Sequence, residues 1–547
     1  MANGRIAALH DGLNQHGFER ISSRVGHLYR GLLKNNGPGI PVEISLVDLD
    51  FVQLPVIRLT DRDAVPERAL PHIFGPTGVV CYYQRGSIVL DRYDPTGTAL
   101  QCLYKAEKVI RQAIAGKLDD DFVAEFEGYW TETFMLSDVP PSFTGAGSIS
   151  FVRLNTEDKR TPVLTAGRSW WTDLDPSSQA KSEIERALIV SIDRAVSVDP
   201  NRAWPPATLD QVIAWLEWLN PRLVTRLDEA IIDGSPTVAL AIKATNGMFA
   251  VRFGLPKQLQ TREFLNSRRR SIPKVLRTMA STVRVERIST DAADLDYVYS
   301  RNLGRTRNLS GKKLLMIGCG TIGSFLAHQM AMCGAGVGGG EFHLIDNDKL
   351  KTANLGRHLL GVPHLHRNKA EACAEFLNGM LPGANVEGFD VSRYDAVIDV
   401  TGEEAFSIAL NQRAIDRRPK GPTHFYGWLA GNGAIAQCLM VDGSEANACL
   451  KCLKPTLAGR SRFPTLKPGV SVEIGAVQAC SDTGFVTFPV SRSISAAALV
   501  CDLVLDWANG NQRDRLRSRT FNPRQAFEIK DQSPTPSKDC PACTVAR

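Results

Sequence analysis

The chain has 547 residues, which is enough for roughly two to four domains with substantial cores. Its 64 basic and 58 acidic residues give a net charge of +6, which is modest at this size, so no nucleic-acid partner is expected. The sequence lacks a run of about eighteen apolar residues and a signal-peptide pattern, and its 12 cysteines are scattered. We therefore expect no membrane span and a reducing, cytoplasmic location.

The first 130 residues have the pattern of an α+β domain. Apolar periodicity predicts an amphipathic helix over residues 18–33, strands over residues 42–47, 52–59 and 79–83, and a helix over residues 99–115. A helix, a strand meander, a loop and further helices follow one another in the same order in the ubiquitin-conjugating fold. This resemblance implies a ubiquitin-conjugating-like domain in residues 1–130.

Cys81 is the candidate nucleophile of this domain. Residues 71–81 have the sequence PHIFGPTGVVC, in which glycine and proline would expose a thiol on a short loop. The segment resembles the approach to the catalytic cysteine in bacterial conjugating domains. The resemblance implies that Cys81 accepts an acyl group and passes it to an amine, and that His72 takes part of the role of an oxyanion-binding asparagine that is not identifiable here. Alternatively, Cys81 is a small buried hydrophobe on a strand.

Residues 131–294 contain no recognisable catalytic motif. A stretch rich in proline and glycine near residues 140–147 indicates a domain boundary. We expect strands over residues 148–154, 237–243 and 248–253, and helices over residues 182–195 and 209–218. The segment is interpreted as a mixed linker domain or a degenerate second adenylation-like domain.

A glycine-rich loop lies near the start of the third segment, residues 295–547. A predicted buried strand over residues 314–317 leads into the sequence GCGTIG, with Gly318, Gly320 and Gly323, and then into an apolar helical pattern. Glycines permit a tight turn, and a helix N-terminus offers free N–H groups to phosphate oxygens. A second predicted strand, over residues 341–345, ends at Asp346, where an acidic residue would bind a ribose hydroxyl. The loop alone also fits an NAD-binding oxidoreductase.

Polar residues downstream of the loop resemble the D-x-D, N-x-x-R and downstream lysine of the ubiquitin-activating, ThiF/MoeB-like adenylating enzymes, which use such a loop for ATP. An NAD site would leave Asn354, Arg357 and Lys369 unexplained. The resemblance implies an α/β, Rossmann-like adenylation domain that binds ATP through Asp346, Asp348, Asn354, Arg357 and Lys369.

Two further expectations come from the same resemblance. Arg301 matches an arginine that reaches the triphosphate of a partner subunit, which implies a homodimer. Otherwise Arg301 is a surface residue. Simpler family members place a magnesium-binding aspartate where this chain has Gly402, so the Mg²⁺ carboxylate is expected to be Asp399, Glu403 or Glu404.

Two Cys-x-x-Cys pairs, Cys449/Cys452 and Cys540/Cys543, predict a structural zinc site. Four thiolates around Zn²⁺ form a closed tetrahedral site, and a long interval between the pairs is usual in the adenylating family. The alternatives are two unrelated pairs or redox thiols.

Cys480 is the candidate for a second reactive thiol. Residues 478–484 have the sequence QACSDTG and precede a proline and an apolar helix predicted over residues 494–507. This arrangement resembles a loop of bacterial activating domains. The resemblance implies that Cys480 is the first acyl-accepting thiol, and the alternative is an inert loop cysteine.

The order of the two domains resembles the fused activating–conjugating enzymes of bacterial type II CBASS anti-phage operons. Those enzymes attach the C-terminus of a cyclic-oligonucleotide synthase, a CD-NTase, to another molecule. The resemblance implies that Mg²⁺ and ATP adenylate the C-terminal carboxylate of a partner protein. Cys480 and then Cys81 would carry the acyl group as thioesters, and an amine, expected to be a lysine, would receive it.

Two other functions remain compatible with the sequence. One is an adenylyltransferase for a ubiquitin-like or sulfur-carrier protein, in which the N-terminal domain is not catalytic. The other is a non-enzymatic scaffold with a degenerate nucleotide site, which Gly402 makes conceivable.

Overall fold

The protein is described by a computed structural model over residues 2–22, 26–34, 37–74, 77–84, 87–153, 160–167, 184–233, 236–261, 268–381, 394–455, 461–473, 486–511 and 513–544. The chain divides into two compact units, Met1–Ala292 and Ala293–Arg547. In the described ranges, no helix is both long and apolar enough to cross a membrane.

The first unit begins with a six-stranded sheet whose neighbouring strands are all antiparallel, in the order β1-β2-β3-β4-β6-β5. Helices α1 and α2 share one apolar core with this sheet. The elements are α1 (Ala2–Gln15), β1 (Glu19–Ile21), β2 (His27–Leu33), β3 (Ile40–Leu46), β4 (Val56–Leu59), β5 (Ile73–Phe74), β6 (Val79–Val80) and α2 (Pro95–Ile114).

Local sequence accounts for β3 and α2. Side chains of β3 alternate between buried and partly exposed, so one face of the strand lies on the core. Helix α2 begins with Pro95, and the side chain of Asp94 accepts a hydrogen bond from the Gly97 N–H, which caps the helix.

The helix predicted over residues 18–33 is wrong. The first helix, Ala2–Gln15, lies earlier, and the predicted segment contains β1 and β2. These strands pair with each other, and β2 pairs with β3 along its whole length. Backbone pairing to a neighbouring strand therefore overrides an apolar spacing that also fits one face of a helix.

The rest of the first unit is built on a closed barrel, with strand order β10-β11-β12-β13-β7-β9-β8. Two short helices connect it to α2, and longer helices pack on its outside. The elements are α3 (Asp121–Ala124), α4 (Phe126–Trp130), β7 (Thr133–Ser137), β8 (Gly145–Val152), β9 (Thr161–Thr165), β10 (Glu185–Ser191), α5 (Leu209–Leu219), α6 (Pro221–Asp233), β11 (Thr237–Ala244), β12 (Gly247–Gly254), α7 (Ile272–Arg277) and β13 (Glu286–Ala292).

The helix predicted over residues 182–195 is also wrong, because this part of the chain contains the barrel strand β10. β10 pairs in parallel with β11 and antiparallel with β8. Its run of Leu188, Ile189 and Val190 suits a strand covered on both faces, and this composition cannot be told from a buried helix by periodicity alone.

The second unit is a six-stranded sheet in the order β15-β14-β16-β17-β18-β19. Its first four strands run parallel, and β18 and β19 are antiparallel additions. The elements are α8 (Leu295–Ser300), β14 (Lys313–Ile317), α9 (Gly323–Met332), β15 (Glu341–Ile345), α10 (Lys369–Met380), β16 (Ala396–Asp399), α11 (Glu404–Asp416), β17 (Thr423–Ala430), β18 (Ile435–Val441), α12 (Leu450–Leu453), α13 (Val490–Ala508), β19 (Leu516–Thr520) and α14 (Pro541–Thr544).

The predicted strands around the glycine-rich loop are confirmed. β14 lies between β15 and β16, so the chain order reverses at β14. In open parallel sheets, ligands bind beyond the carboxyl ends of the strands at such a reversal. The fold therefore directs attention to Ile317, Ile345 and Asp399, where these three strands end.

Candidate functional site

A cavity of about 740 Å³ opens at the carboxyl ends of β14 and β15. Its floor is apolar, and polar groups from the glycine-rich loop and from the end of β15 surround it. The lining includes Gly318, Gly320, Asp346, Asp348, Lys369, Thr401 and Glu403. The cavity therefore gathers several of the predicted nucleotide-binding residues at the edge of the sheet.

The three glycines of the loop serve different purposes. Gly318 has φ +97°, and a Cβ there would lie 2.9 Å from the backbone of Thr401. A Cβ on Gly323 would lie 1.8 Å from the carbonyl oxygen of Gly318, so only glycine permits this turn into α9. A Cβ on Gly320 would meet no atom within 4 Å, and Gly320 lines the cavity, so the backbone is accessible to a ligand there.

Asp346 fixes the loop in place. Its Oδ2 accepts a hydrogen bond of 2.7 Å from the Cys319 N–H, and its Oδ1 accepts one of 2.8 Å from the Asp348 N–H. The carboxylate that the sequence places on a ribose therefore also joins the loop to the end of β15.

Lys369 contributes a buried cation to the cavity. Its Nζ lies 2.8 Å from Asp348 Oδ2, and its side chain is only 9 % exposed, whereas that of Asp348 is 74 % exposed. The lysine lowers the pKa of the Asp348 carboxyl. The pair presents one fixed positive charge and one adaptable carboxylate to a ligand.

Three predicted residues lie apart from the cavity lining. Asn354 accepts a hydrogen bond from the Lys351 N–H in a short 3₁₀ turn. The carbonyl of Arg357 accepts a hydrogen bond of 2.7 Å from Thr321 Oγ1, which ties that turn region to the loop. Arg301 follows α8, is exposed, and has its guanidinium 5.5 Å from the ring centre of Tyr297.

The three candidate magnesium carboxylates have different environments. Asp399 is buried, and its oxygens accept hydrogen bonds from the Thr401 N–H and hydroxyl and from the Ser407 hydroxyl. Glu403 is exposed and lines the 740 Å³ cavity. Glu404 lies 3.8 Å from Lys454 and lines a neighbouring cavity.

The neighbouring cavity, of about 620 Å³, adjoins the first one at Gly320 and Thr401, which line both. Aromatic side chains and the backbone after β16 surround it. They include Tyr426, Trp428, Phe463 and Phe488. Charged residues line it as well, among them Glu404, Lys451 and Lys454.

Cys480 lies outside the described residues. The described residues nearest to it in sequence are held together, because Asn432 Nδ2 donates hydrogen bonds of 2.9 Å to the carbonyls of both Glu473 and Thr487. Val486 and Phe488 line the second cavity.

The four cysteines of the two Cys-x-x-Cys pairs come together. Their sulfurs are separated by 3.5–3.8 Å in the four closest pairs, although the two halves are 91 residues apart. A tetrahedral ion with Zn–S bonds of about 2.3 Å requires sulfurs about 3.8 Å apart. The Ser537 N–H points at Cys452 Sγ and Asn411 Nδ2 at Cys449 Sγ, as outer hydrogen bonds to metal thiolates do. The four residues thus fit a structural zinc ion.

Cys81 follows directly after β6 and is partly exposed. A ring nitrogen of His72, the Cys81 sulfur and an oxygen of Glu125 all lie within 4.8 Å of one another. The neighbouring Cys81 side chain first, and then Glu125 and Asp121, raise the pKa of His72 to about 10, against the effect of burial. The structure thus brings together the two residues that the sequence selected in this domain.

Asp121, Glu125 and Tyr129 of the same cluster were missed from the sequence. They come from α3, α4 and the residue between these helices, about fifty positions after His72. The run of three aspartates at residues 119–121 was the only local signal, and runs of this kind usually lie on a solvated surface.

Two parts of the chain match known protein families. Residues 8–136 match the family described as prokaryotic E2 family B, and residues 299–542 match the ThiF family. The chain is 29 % identical to the ATP-dependent ubiquitin transferase-like protein Cap2 of Pseudomonas aeruginosa, over 98 % of both chains. It is 30 % identical to the protein of that name in Vibrio cholerae, over 83 % of both chains. An adenylyltransferase and sulfurtransferase, UBA4 of Yarrowia lipolytica, is 26 % identical over only 33 % of this chain and 42 % of its own length.

Proposed function

We infer the function of this chain from its family, because it belongs to the ATP-dependent ubiquitin transferase-like Cap2 proteins. It joins an adenylating domain of the ThiF family to an E2-like domain. The proposed reaction is the ATP-dependent activation of the C-terminal carboxylate of a partner protein, followed by conjugation of that carboxylate to an amine.

One observation supports the adenylation step above all: the two cavities adjoin, and Gly320 and Thr401 line both of them. ATP would occupy the cavity that contains Asp346, Asp348 and Lys369. The C-terminal segment of the partner protein would occupy the second cavity, so that its carboxylate meets the α-phosphate at the loop. A carboxylate oxygen then forms a bond to the α-phosphorus and pyrophosphate leaves, which gives an acyl-adenylate.

The cations of the site would offset the charge that develops on the phosphates. The position of Lys369 in the cavity supports this role. The Arg357 backbone carbonyl accepts a hydrogen bond from Thr321, which places that residue beside the loop. Arg301 is exposed, as a residue that reaches into the site of a partner subunit must be, and this role requires a homodimer.

The proposed enzyme binds two kinds of metal ion, magnesium and zinc. Magnesium would neutralise the triphosphate and be held by a carboxylate. Glu403 suits that role best, because it is exposed in the nucleotide cavity while the Asp399 oxygens already accept hydrogen bonds. Zinc would be held by the four cysteines and would fix the C-terminal tail.

The acyl group would next pass through two thiols. The Cys480 sulfur attacks the acyl-adenylate and releases AMP, and the Cys81 sulfur then attacks that thioester and releases the Cys480 thiol. The position of Val486 and Phe488 on the second cavity supports Cys480, and the position of Cys81 beside His72 supports Cys81. An amine, expected to be a lysine, finally takes the acyl group from Cys81.

The proposed partner is a CD-NTase whose C-terminus is activated in the cytoplasm during anti-phage defence. The first test is ATP–pyrophosphate exchange, measured with the purified protein and the nucleotidyltransferase from its own operon. Exchange that requires the last residues of the partner supports the proposal. Exchange with a sulfur-carrier protein alone would favour the plain adenylyltransferase, and no exchange with either protein would favour the scaffold.

A further inference from the structure

Both ring nitrogens of His72 face a carboxylate. Nε2 lies 2.8 Å from Asp121 Oδ2, and Nδ1 lies 2.9 Å from Glu125 Oε1. Nε2 and Asp121 form a hydrogen bond, whereas Nδ1 lies at ion-pair distance from Glu125 without the geometry of a hydrogen bond. Two carboxylate oxygens so close to the ring nitrogens favour the positively charged ring over the neutral one. The geometry therefore favours the doubly protonated ring.

The backbone of His72 is held as firmly as its ring. His72 has φ +62°, in the left-handed region that non-glycine residues seldom adopt. Its N–H donates a hydrogen bond of 2.5 Å to the Tyr129 hydroxyl, and its carbonyl accepts one of 2.8 Å from the Cys81 N–H. Such a conformation persists where the surroundings determine it, and these sites are often functional.

The helical segment that carries Asp121 and Glu125 is packed into an apolar core. Phe122, Phe126 and Trp130 alternate with them along α3 and α4 and are buried in the apolar core that these helices share with the barrel. The barrel therefore fixes Asp121 and Glu125 in front of the ring. The barrel, which lies in residues 131–294 where the sequence shows no catalytic motif, thus supports the cluster around Cys81.

The titratable groups that face the ring come from three elements. They are Cys81 after β6, Asp121 and Glu125 from α3 and the residue that follows it, and Tyr129 from α4. Burial raises the pKa of Tyr129, so it remains a neutral phenol beside the two carboxylates. The charges next to His72 are thus negative, and they act together to keep it protonated.

We propose that Asp121 and Glu125 are positioning residues that keep His72 as a fixed imidazolium beside Cys81, where its charge stabilises the oxyanion formed during acyl transfer. The proposal rests on the proposed function, in which Cys81 carries a thioester. The charged ring takes the place of the neutral amide that conjugating enzymes use.

The chemistry follows from the thioester on Cys81. The amine nitrogen attacks the carbonyl carbon and forms a C–N bond, and the C=O electron pair moves to oxygen next to the imidazolium. Collapse of this intermediate breaks the C–S bond, the Cys81 sulfur leaves with the electron pair, and the proton lost by nitrogen ends on that sulfur. A charge already in place needs no reorganisation when the oxyanion forms.

The first experiment measures the protonation of His72 itself. Full-length protein with ¹³C-labelled histidine would be titrated by NMR from pH 5 to pH 9, and the His72 signal would be assigned among the 10 histidines by its loss in His72→Asn. We expect no titration of His72 in the wild type over this range. In the double variant Asp121→Asn/Glu125→Gln, the midpoint should fall toward about 6.5, the ordinary value for histidine.

The second experiment measures the discharge of the Cys81 thioester onto hydroxylamine in a single turnover. We expect the rate of the double variant, divided by that of the wild type at the same pH, to be near one at pH 5.5. The ratio should fall at least tenfold by pH 8, because only the variant then loses its charged ring. Asp119→Asn is the matched control, since Asp119 lies on the same segment but pairs with Arg68, and it should leave the ratio near one throughout.

The outcomes are distinguishable. A wild-type His72 that titrates near pH 6.5 would overturn the proposal whether or not the double variant folds. A discharge ratio that is reduced equally at every pH would also overturn it, because that is the effect of a merely structural role. If Cys81 never carries a thioester, the proposed function fails, while the NMR titration still tests the state of the ring.

Discussion

At the scale of single residues, Lys369 is a buried cation in the cavity proposed for ATP. The side chain of Lys369 is nearly inaccessible, and its ammonium group is held by the exposed Asp348. An ion of this kind costs desolvation energy unless a ligand or a partner satisfies it, which is why such residues mark functional sites.

We predict that Lys369→Ala lowers the rate of ATP–pyrophosphate exchange by roughly tenfold or more, since a charge-assisted hydrogen bond contributes about 1.5–3 kcal/mol. Lys313→Ala is the control. Lys313 forms an ion pair of the same length with Glu341, but at the opposite end of β14 and β15. Equal losses in the two variants would show that Lys369 has no special role.

The magnesium carboxylate can be identified by the dependence of exchange on metal concentration. We predict that Glu403→Gln raises the magnesium concentration needed for half-maximal exchange. Asp399→Asn should instead lower the melting temperature, because it disturbs the hydrogen bonds from Thr401 and Ser407. An unchanged magnesium requirement in Glu403→Gln would remove Glu403 from the site.

The protonation of His72 also predicts how stability depends on pH. Its pKa in the folded chain is raised to about 10, above the ordinary 6.5, so its stabilising effect is complete below about pH 6.5 and is lost as the pH rises toward 10. We expect the difference in melting temperature between wild type and His72→Asn to shrink over this interval. Asparagine is the chosen substitute because it tolerates positive φ. A difference that grows with pH would contradict the account.

At the scale of elements, the glycine-rich loop was predictable because all its determinants are local. A short apolar strand, three glycines and an apolar helix stand next to one another in the sequence, and the structure has them at the predicted positions. The structure of residues 18–33 was not predictable in this way, because this segment forms strands by pairing with β3, which lies later in the chain. The same holds for β10 in the barrel.

Two glycine variants distinguish the contribution of this loop to stability from its contribution to ATP binding. We predict that Gly323→Ala lowers the melting temperature and abolishes nucleotide binding, because its Cβ would overlap the Gly318 carbonyl. Gly320→Ala should keep the wild-type melting temperature and lose only affinity for ATP, because its methyl group meets open space on the cavity side. Thermal melting and nucleotide titration of both variants provide the check, and a Gly320→Ala protein with unchanged affinity would contradict this assignment.

At the scale of the whole molecule, sequence analysis performed best where chemistry is encoded by spacing. The spacing within the two Cys-x-x-Cys pairs predicts that the four cysteines cluster, and the structure brings their sulfurs together. The His72 cluster could be predicted only in part, because Asp121 and Glu125 reach it through helices fixed by the barrel core. No local pattern records that packing.

The cysteine cluster should govern how the C-terminal tail is held. We predict one zinc ion per chain by elemental mass spectrometry, and its loss in Cys540→Ser together with a lower melting temperature, because the metal joins α12 to the tail across 91 residues. Cys333→Ala, which removes a thiol outside the cluster, should retain the zinc. Full zinc content in Cys540→Ser would exclude the four-cysteine site.

The central claim is that one chain activates a C-terminal carboxylate and transfers it through two thiols. The most direct measurement mixes the full-length protein with Mg²⁺, ATP and the nucleotidyltransferase from its operon, and then separates the products with and without reductant. We predict reductant-sensitive adducts in the wild type, none in Cys480→Ala, and a single adduct in Cys81→Ala. Consumption of ATP without any thiol adduct would contradict the relay and leave an adenylyltransferase.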